Sequence, residues 1–374
     1  MKNVFYPLAL IFMFIPKTFF AQINRYYKFS EFNYQPLDLD LLMKAGAAMQ
    51  ARYDNNKEYR DNLIDWIFDI KSKTSDEQLL SSLDNYYSQL RAFDGENFGK
   101  LGSELDRIKY GIKEEIDKYN TRIKDEPRRM YESAVNNLIS QNYSQAINEF
   151  TDLINYDKEC LQCYLGRGIA YYNNKNYQNS IKDLNKYIDT KDDEPTAFYY
   201  RGWAKYYQNN FIEALSDFNK EVEINPTSTA YYDRGSAKSA LGDNFGAISD
   251  YSKAIELKPD FSMAYNNRGW AKFEQKKYSE ALIDLNKAIE LDNDNWVAYD
   301  SRQETKFAMN DLKGCIEDCD MAISINPKVS NSYFFRGRAF YKQGKKQNAC
   351  EDWSKAGELG KKDAYEYISK YCKY

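Results

Sequence analysis

One spacing constrains this chain more than any other feature. An Arg-Gly pair recurs as Arg167-Gly168, Arg201-Gly202, Arg234-Gly235, Arg268-Gly269 and Arg336-Gly337, and the glycines are 34, 33, 34 and 68 residues apart. The last step is two periods, with Arg302-Gln303 in the missing slot. Twelve residues after each slot stands a small residue: Ser180, Ala214, Ala247, Ala281, Cys315 and Ala349. Ala134 and Ala146 carry both series back one unit. A fixed period of this length marks a stack of like units, each able to bury its apolar face only against its neighbours. The single step of 33 coincides with a shorter loop, NPTSTAYYDRG in place of KPDFSMAYNNRG. A loop is where a one-residue deletion costs least.

Each unit carries two helical stripes. In SMAYNNRGWAKFEQKKYSEALIDLNKAIELDND, Tyr265, Gly269 and Phe273 recur at spacings of four, and Tyr278, Ala281, Leu285, Ala288 and Ile289 follow the same period beyond the polar turn EQKK. Glycine and alanine at the two small positions let the paired helices approach closely. Pro226, Pro259 and Pro327 follow the second stripes, where a helix ends.

These residues resemble the tetratricopeptide repeat family, whose pattern is an aromatic, a small pair, Tyr-x-x-Ala, then Lys-Ala-Ile-Glu-Leu-x-Pro. YSEALIDLNKAIELD (278–292) and AISDYSKAIELKPD (247–260) are close matches. Seven units are counted over 127–362, beginning near 127, 161, 195, 228, 262, 296 and 330. The first lacks the Arg-Gly pair, and the sixth has Gln303 and Cys315 at its small positions, so looser packing is expected there. The resemblance implies an all-α solenoid, a right-handed superhelix of helix-turn-helix units with a concave groove that binds proteins or peptides.

Composition excludes other classes. The chain of 374 residues contains no histidine, which removes Ser-His-Asp and Cys-His nucleophiles and His-ligated zinc or haem. A net charge of −4 argues against a nucleic-acid binder. Tyr 34, Phe 21 and Trp 5 suit repeated aromatic packing rather than disorder. No cofactor and no metal site is expected.

Residues 1–21 read as an export signal: Lys2, an apolar run from Val4 to Ile15, Pro16, and a small Ala21 at the cut. The run is shorter than the ~20 residues that span a bilayer. Its removal takes Lys2 and Lys17 and leaves a charge of −6. The reading is therefore an exported protein of the periplasm or cell envelope. Residues 22–126 do not match the repeat and read as a helical N-terminal domain packed on the first unit. Within it, 23–37 is irregular, a long helix runs from Asp38 to Ile70, and Ser75-x-x-Gln78 starts the next. Leu101, Leu105, Ile108, Ile112, Ile116, Tyr119 and Ile123 form the stripe of a third, at an average spacing of about 3.67 that suits a straight helix rather than a dimerising coil. At the other end, Leu359-Gly360 closes the last unit. Asp363 with Glu366 starts a capping helix over 363–374, whose inner face is Ala364, Ile368, Tyr371 and Cys372.

Cys350 and Cys372 fall on the last unit's second helix and on the cap, and a bridge there would staple the end of the stack. Exported bacterial repeat proteins similar to this one often carry such a pair. Cys160 and Cys163 form a CxxC without a thioredoxin-like setting and read as structural. Cys315 and Cys319 read as packing residues.

By the resemblance, the first helix of each unit lines the groove. The candidate binding residues on it are Tyr199, Trp203, Tyr206 and Tyr207 in the third unit, and Asn266, Trp270 and Phe273 in the fifth. Phe307 in the sixth and Arg338 and Tyr341 in the seventh complete the set. Trp203 and Trp270 share one slot on either side of Ser236, which suggests a pocket for a bulky side chain. The arginine row invites an anion-binding reading. A buried stem with its head paired to a neighbouring acid is the better account. Residues 330–374 hold ten Lys/Arg and five Asp/Glu, a basic end that reads as a solvated cap or a docking surface. The reading as a whole is a non-enzymatic scaffold whose groove binds a peptide or partner protein. The alternative is an accessory subunit of an outer-membrane or secretion machinery that docks through its N-terminal domain. An enzyme would have to rely on carboxylates such as Glu274 and Glu304.

Overall fold

The computed structural model describes residues 56–72, 74, 76–92 and 101–372. Among them are seventeen helices and no strand. They fall into two compact units, one up to Ala170 and one from Tyr171 onward. The expected export signal at 1–21, the stretch 23–37 expected to be irregular, the expected helix before residue 56 and Ser75 lie outside the described residues.

In the first unit, α1 (Asn56–Ser72), α2 (Glu77–Ala92) and the front of α3 (Leu101–Ile139) share one apolar core. Leu63, Trp66, Ile67 and Ile70 meet Leu79, Leu83 and Leu90, and the stripe Leu105, Ile108, Ile112 and Ile116 closes the cluster. The start of α2 is capped at Asp76, whose Oδ1 accepts the Leu79 N–H at 2.7 Å. α3 runs on through Pro127, so the expected boundary at 126/127 falls inside one continuous helix. The reason is burial on both sides of the proline. Leu105 to Ile116 pack before it and Tyr131, Ala134 and Leu138 after it, which outweighs the one backbone bond that proline removes. α4 (Tyr143–Tyr156) packs back on α3, and Phe150 is fully buried. α5 (Leu161–Asn173) follows.

The second unit continues with α6 (Tyr177–Ile188), then five helix pairs and a final helix. The pairs are α7 (Pro195–Tyr207) with α8 (Phe211–Ile224), α9 (Ser228–Ala240) with α10 (Asn244–Leu257), and α11 (Ser262–Glu274) with α12 (Tyr278–Leu291). They go on with α13 (Trp296–Ala308) and α14 (Leu312–Ile325), then α15 (Ser330–Lys342) and α16 (Lys346–Glu358), before α17 (Lys362–Tyr371). Each second helix also packs on the first helix of the next pair. First helices touch one another along the row, α9 with α11, α11 with α13 and α13 with α15, and the second helices make no comparable contact among the described residues. The row therefore curves toward its first helices, which is the geometry of an all-α solenoid.

The close pairing follows from the small slots. A Cβ built on Gly202 would lie 2.7 Å from the Phe218 ring, on Gly235 2.8 Å from Tyr251, on Gly269 2.9 Å from Leu285, and on Gly337 2.7 Å from Trp353. Each slot thus faces a large residue sixteen positions on. The sixth unit reverses the arrangement: Gln303 fills the slot, the facing residue shrinks to Cys319, and both are fully buried. Looser packing was expected there; the exchange of volumes preserves the pair instead.

The turn between paired helices repeats a left-handed residue: Gln141, Lys175, Asn209, Lys276 and Asn310 at φ between 61° and 64°, with Gly242 and Gly344 in the same place. At the far end Gly360 exits α16 at φ 93°. The expected Asp363–Glu366 capping box does not form. Lys361 occupies the cap position of α17 with no side-chain cap bond, and Asp363 sits in the first turn. Burial of Ala364 and packing of Ile368, Tyr371 and Cys372 against α15 and α16 hold this helix instead.

Candidate functional site

The groove-slot residues gather into three separate patches. On α7, Tyr206 sits edge-on to the Trp203 indole at 5.0 Å, and Tyr207 stacks on Tyr177 at 5.2 Å. Tyr199 lies edge-on to Tyr200 at 5.0 Å. Tyr199, Tyr206 and Tyr207 are half-buried. Burial pushes the Tyr207 phenol up to about 12 and the Tyr199 phenol well above its ordinary range. Trp203 itself is only 8% exposed, packed on Phe218 at 5.4 Å, with Asp233 beside its indole.

On α11, Trp270 is half-buried and stacks on Phe273 at 4.9 Å. Asn266 is buried and donates to Asn267 Oδ1 at 3.0 Å, which makes it an interior residue. Ser236 is also buried, its hydroxyl donating to the Tyr232 carbonyl at 2.9 Å. One slot therefore holds an enclosed tryptophan, an enclosed serine and a partly open tryptophan. The matched pair of tryptophan walls around Ser236 is not what the fold builds, because neighbouring rings and Asp233 cover Trp203.

The third patch spans α13, α15 and α17. The Arg338 guanidinium lies 4.3 Å from the Phe307 ring centre and 4.9 Å from that of Phe335. Lys342 shares Phe307 from 4.8 Å. Tyr341, 39% exposed, packs on Tyr371 at 4.6 Å. Phe307 is 8% exposed and serves chiefly as the platform for these cations.

The arginine row is fully engaged. Arg201, Arg234, Arg268, Arg302 and Arg336 each bond the aspartate sixteen residues on, Asp217, Asp250, Asp284, Asp318 and Asp352, at 2.6–2.7 Å from Nη2. A lysine four residues after the arginine joins four of these aspartates: Lys205, Lys238, Lys272 and Lys306. The guanidinium also reaches back to the previous second helix, to Asn185, Ser252, Asn286 and Asp320 in four cases. Each arginine lies over the aromatic ring three residues before it, as Arg268 does over Tyr265 at 5.4 Å. This row staples the two helices of each repeat and in four cases ties them to the previous one, and its charges are spent on the protein itself. A surface hollow of about 360 Å³ beside Arg234 and Asp250 opens onto these committed groups.

Two acidic residues that the repeat pattern did not single out lie beside the first patch. Glu221, on α8, stands nineteen residues after its glycine, where the next four repeats place Ala254, Ala288, Ala322 and Ala356, all fully buried. It is 6% exposed and faces Asp233, on α9, which is 4% exposed. Glu221 Oε2 and Asp233 Oδ2 have no hydrogen-bond partner. Burial, joined for Glu221 by repulsion from Asp233, pushes both carboxyls well above their usual range. The carboxylate in the alanine slot was the readable signal.

Cys350 is bridged to Cys372, and Cys160 to Cys163. Cys315 and Cys319 are buried free thiols inside the last core cluster. Among the described residues no group of three or more His, Cys, Asp or Glu is placed to hold a metal, and no helix is long and apolar enough to cross a membrane.

Comparison with known proteins fits this geometry. Residues 140–195, 228–261 and 262–295 match the tetratricopeptide repeat family. A tetratricopeptide repeat protein from Parabacteroides merdae ATCC 43184 is similar in fold at 18% identity and a TM-score of 0.56, over 66% of this chain and 99% of its own. More distant are YrrB, a TPR protein with an unusual peptide-binding site (20% identity, TM-score 0.41, 49% of this chain and 95% of that one), and MamA from Desulfovibrio magneticus RS-1 (20%, 0.40, 44% and 94%). No curated protein matches the sequence. With its paired helices, its glycine-to-ring contacts and the three family-model matches, the chain carries tetratricopeptide repeats.

Proposed function

We propose that this protein is an exported interaction scaffold that binds a peptide or a partner's surface along the first helices of its repeats. The coarser part, a protein–protein interaction scaffold, goes with these repeats, whose arrays are generally non-catalytic. The observation that carries the finer part is the half-open aromatic surface on the inner side of the row: Tyr199, Tyr206 and Tyr207, then Trp270 with Phe273, then Tyr341. Aromatic side chains supply much contact area at low entropic cost, and a preformed array loses little freedom on binding. Export is supported by the apolar leader at 1–21 and by two disulfides, which persist in oxidising compartments.

The test is capture of partners from a cell-envelope extract by the full chain and by Trp270→Ala/Tyr341→Ala. Loss of the captured proteins with helical content and melting unchanged supports the groove; an unchanged set overturns it. Trp203 is unsuited to this test because it is enclosed.

A second reading, docking through the N-terminal helices, is favoured by Phe68 and Tyr110, which are 52% and 72% exposed. Because α3 is continuous, deletion at 126 would cut a helix. Phe68→Ser/Tyr110→Ser is the cleaner probe, and loss of capture in that variant alone supports this reading.

A further inference from the structure

An acid that the fold needs has partners even when it is only half-buried. Asp300 shows this: its carboxylate accepts from Ser332 Oγ at 2.8 Å, Asn331 Nδ2 at 2.9 Å and Gln303 Nε2 at 2.6 Å. Glu221 and Asp233 are more enclosed than Asp300, yet each leaves one oxygen without a partner, and no arginine or lysine of the described residues is paired with either. Leaving such oxygens dry and unpaired costs stability, and an alanine at 221 would remove half of the problem, as it does in the next four repeats. A local rule broken at this cost points to a ligand.

What surrounds the two acids says which ligand. Tyr199, Tyr207 and Trp203 stand near Asp233, and Tyr199 also near Glu221. Aromatic faces beside uncompensated carboxylates attract a cation. A bare metal ion is a poor fit, since two carboxylates do not supply the six to eight oxygens that calcium takes and no third donor is grouped with them. The acids lie deep while Tyr199 and Tyr207 are half-open, so the cation must sit at the end of a slender apolar stem.

We propose that Glu221 and Asp233, behind the wall of Tyr199, Trp203 and Tyr207, form a pocket for the cationic end of a lysine or arginine side chain from the peptide bound in the groove. This rests on the groove reading and names the chemistry of its ligand.

The test pans a phage-displayed library of random 12-residue peptides on the immobilised full chain. The enriched peptides are expected to share one Lys or Arg at a fixed position. A synthetic copy of the best peptide should bind at least tenfold more tightly than the same peptide with Lys→norleucine or Arg→citrulline. The Glu221→Gln/Asp233→Asn variant should bind both copies alike, with its melting temperature at neutral pH no lower than that of the parent. Enriched peptides that lack a basic residue, or whose neutral copies bind equally well, overturn the pocket and leave the groove standing. Failure to enrich any peptide overturns both. A variant that keeps the tenfold preference also overturns the pocket.

Discussion

Arg268 holds Asp284, sixteen residues along the chain, with two parallel hydrogen bonds, Nε to Oδ2 at 2.9 Å and Nη2 to Oδ1 at 2.7 Å. Lys272 adds a contact to the same carboxylate at 2.8 Å, and the Asp284 side chain is 3% exposed. The geometry recurs through five repeats, so one staple can be tested for all. Arg268→Ala leaves much of a buried charge unbalanced and is expected to destabilise by about 3–5 kcal/mol. Arg268→Lys keeps the charge but not the fork and should recover only part of it. Urea unfolding followed by circular dichroism checks both.

The reversed volumes at Gln303 and Cys319 form a closed cycle. Gln303→Gly opens a void, and Cys319→Phe alone overfills the same space, each costing about 1–3 kcal/mol. Together they recreate the glycine-to-ring contact of Gly202 with Phe218, so the double variant should be closer to the parent than either single change. A thermal-melting series on the four proteins reads the coupling directly.

Lys276 turns the chain at φ 62°, a conformation that costs a residue with a side chain and not a glycine. Lys276→Gly is therefore expected to stabilise, by up to about 1 kcal/mol after the extra freedom of glycine in the unfolded chain is deducted. Gly242→Ala, at φ 82° in the equivalent turn, should do the reverse.

Glu221 and Asp233 set a pH dependence of defined sign. Burial raises both carboxyls above their unfolded values, so the folded chain keeps protons that the unfolded chain has released above about pH 4. Their contribution to stability is thus present in acid and declines as pH rises toward the raised values. Glu221→Gln should flatten that decline and lift the melting temperature at pH 8 more than at pH 5. A steeper decline in the variant would contradict the assignment.

Much of the architecture was legible because packing forces it. A glycine that must admit the ring of Phe218, Tyr251 or Trp353 cannot drift, and neither can the arginine beside it once it grips the aspartate of its own repeat. The left-handed turn escaped notice because lysine, asparagine and glutamine hold it more often than glycine does, and its signature is a dihedral rather than a residue type. The passage of α3 through Pro127 was hidden because the boundary followed the start of the repeat period near 127, and period alone does not show that one helix carries the buried stripes on both sides. Trp203 and Trp270 occupy one slot and differ in exposure because only Trp203 has Asp233 and three aromatic rings gathered around it. Slot identity predicts position along the helix; it does not predict what the next repeat lays over it.

The central claim is that the inner aromatic surface is the working face. The most direct measurement places a photo-crosslinking residue at Trp270, at Tyr341 and, as the outer control, at Phe245 on α10, which is 75% exposed. Irradiation in producing cells should join a defined partner to positions 270 and 341 and leave 245 unlinked. Crosslinks from 245 alone, with none at 270 or 341, would contradict the account.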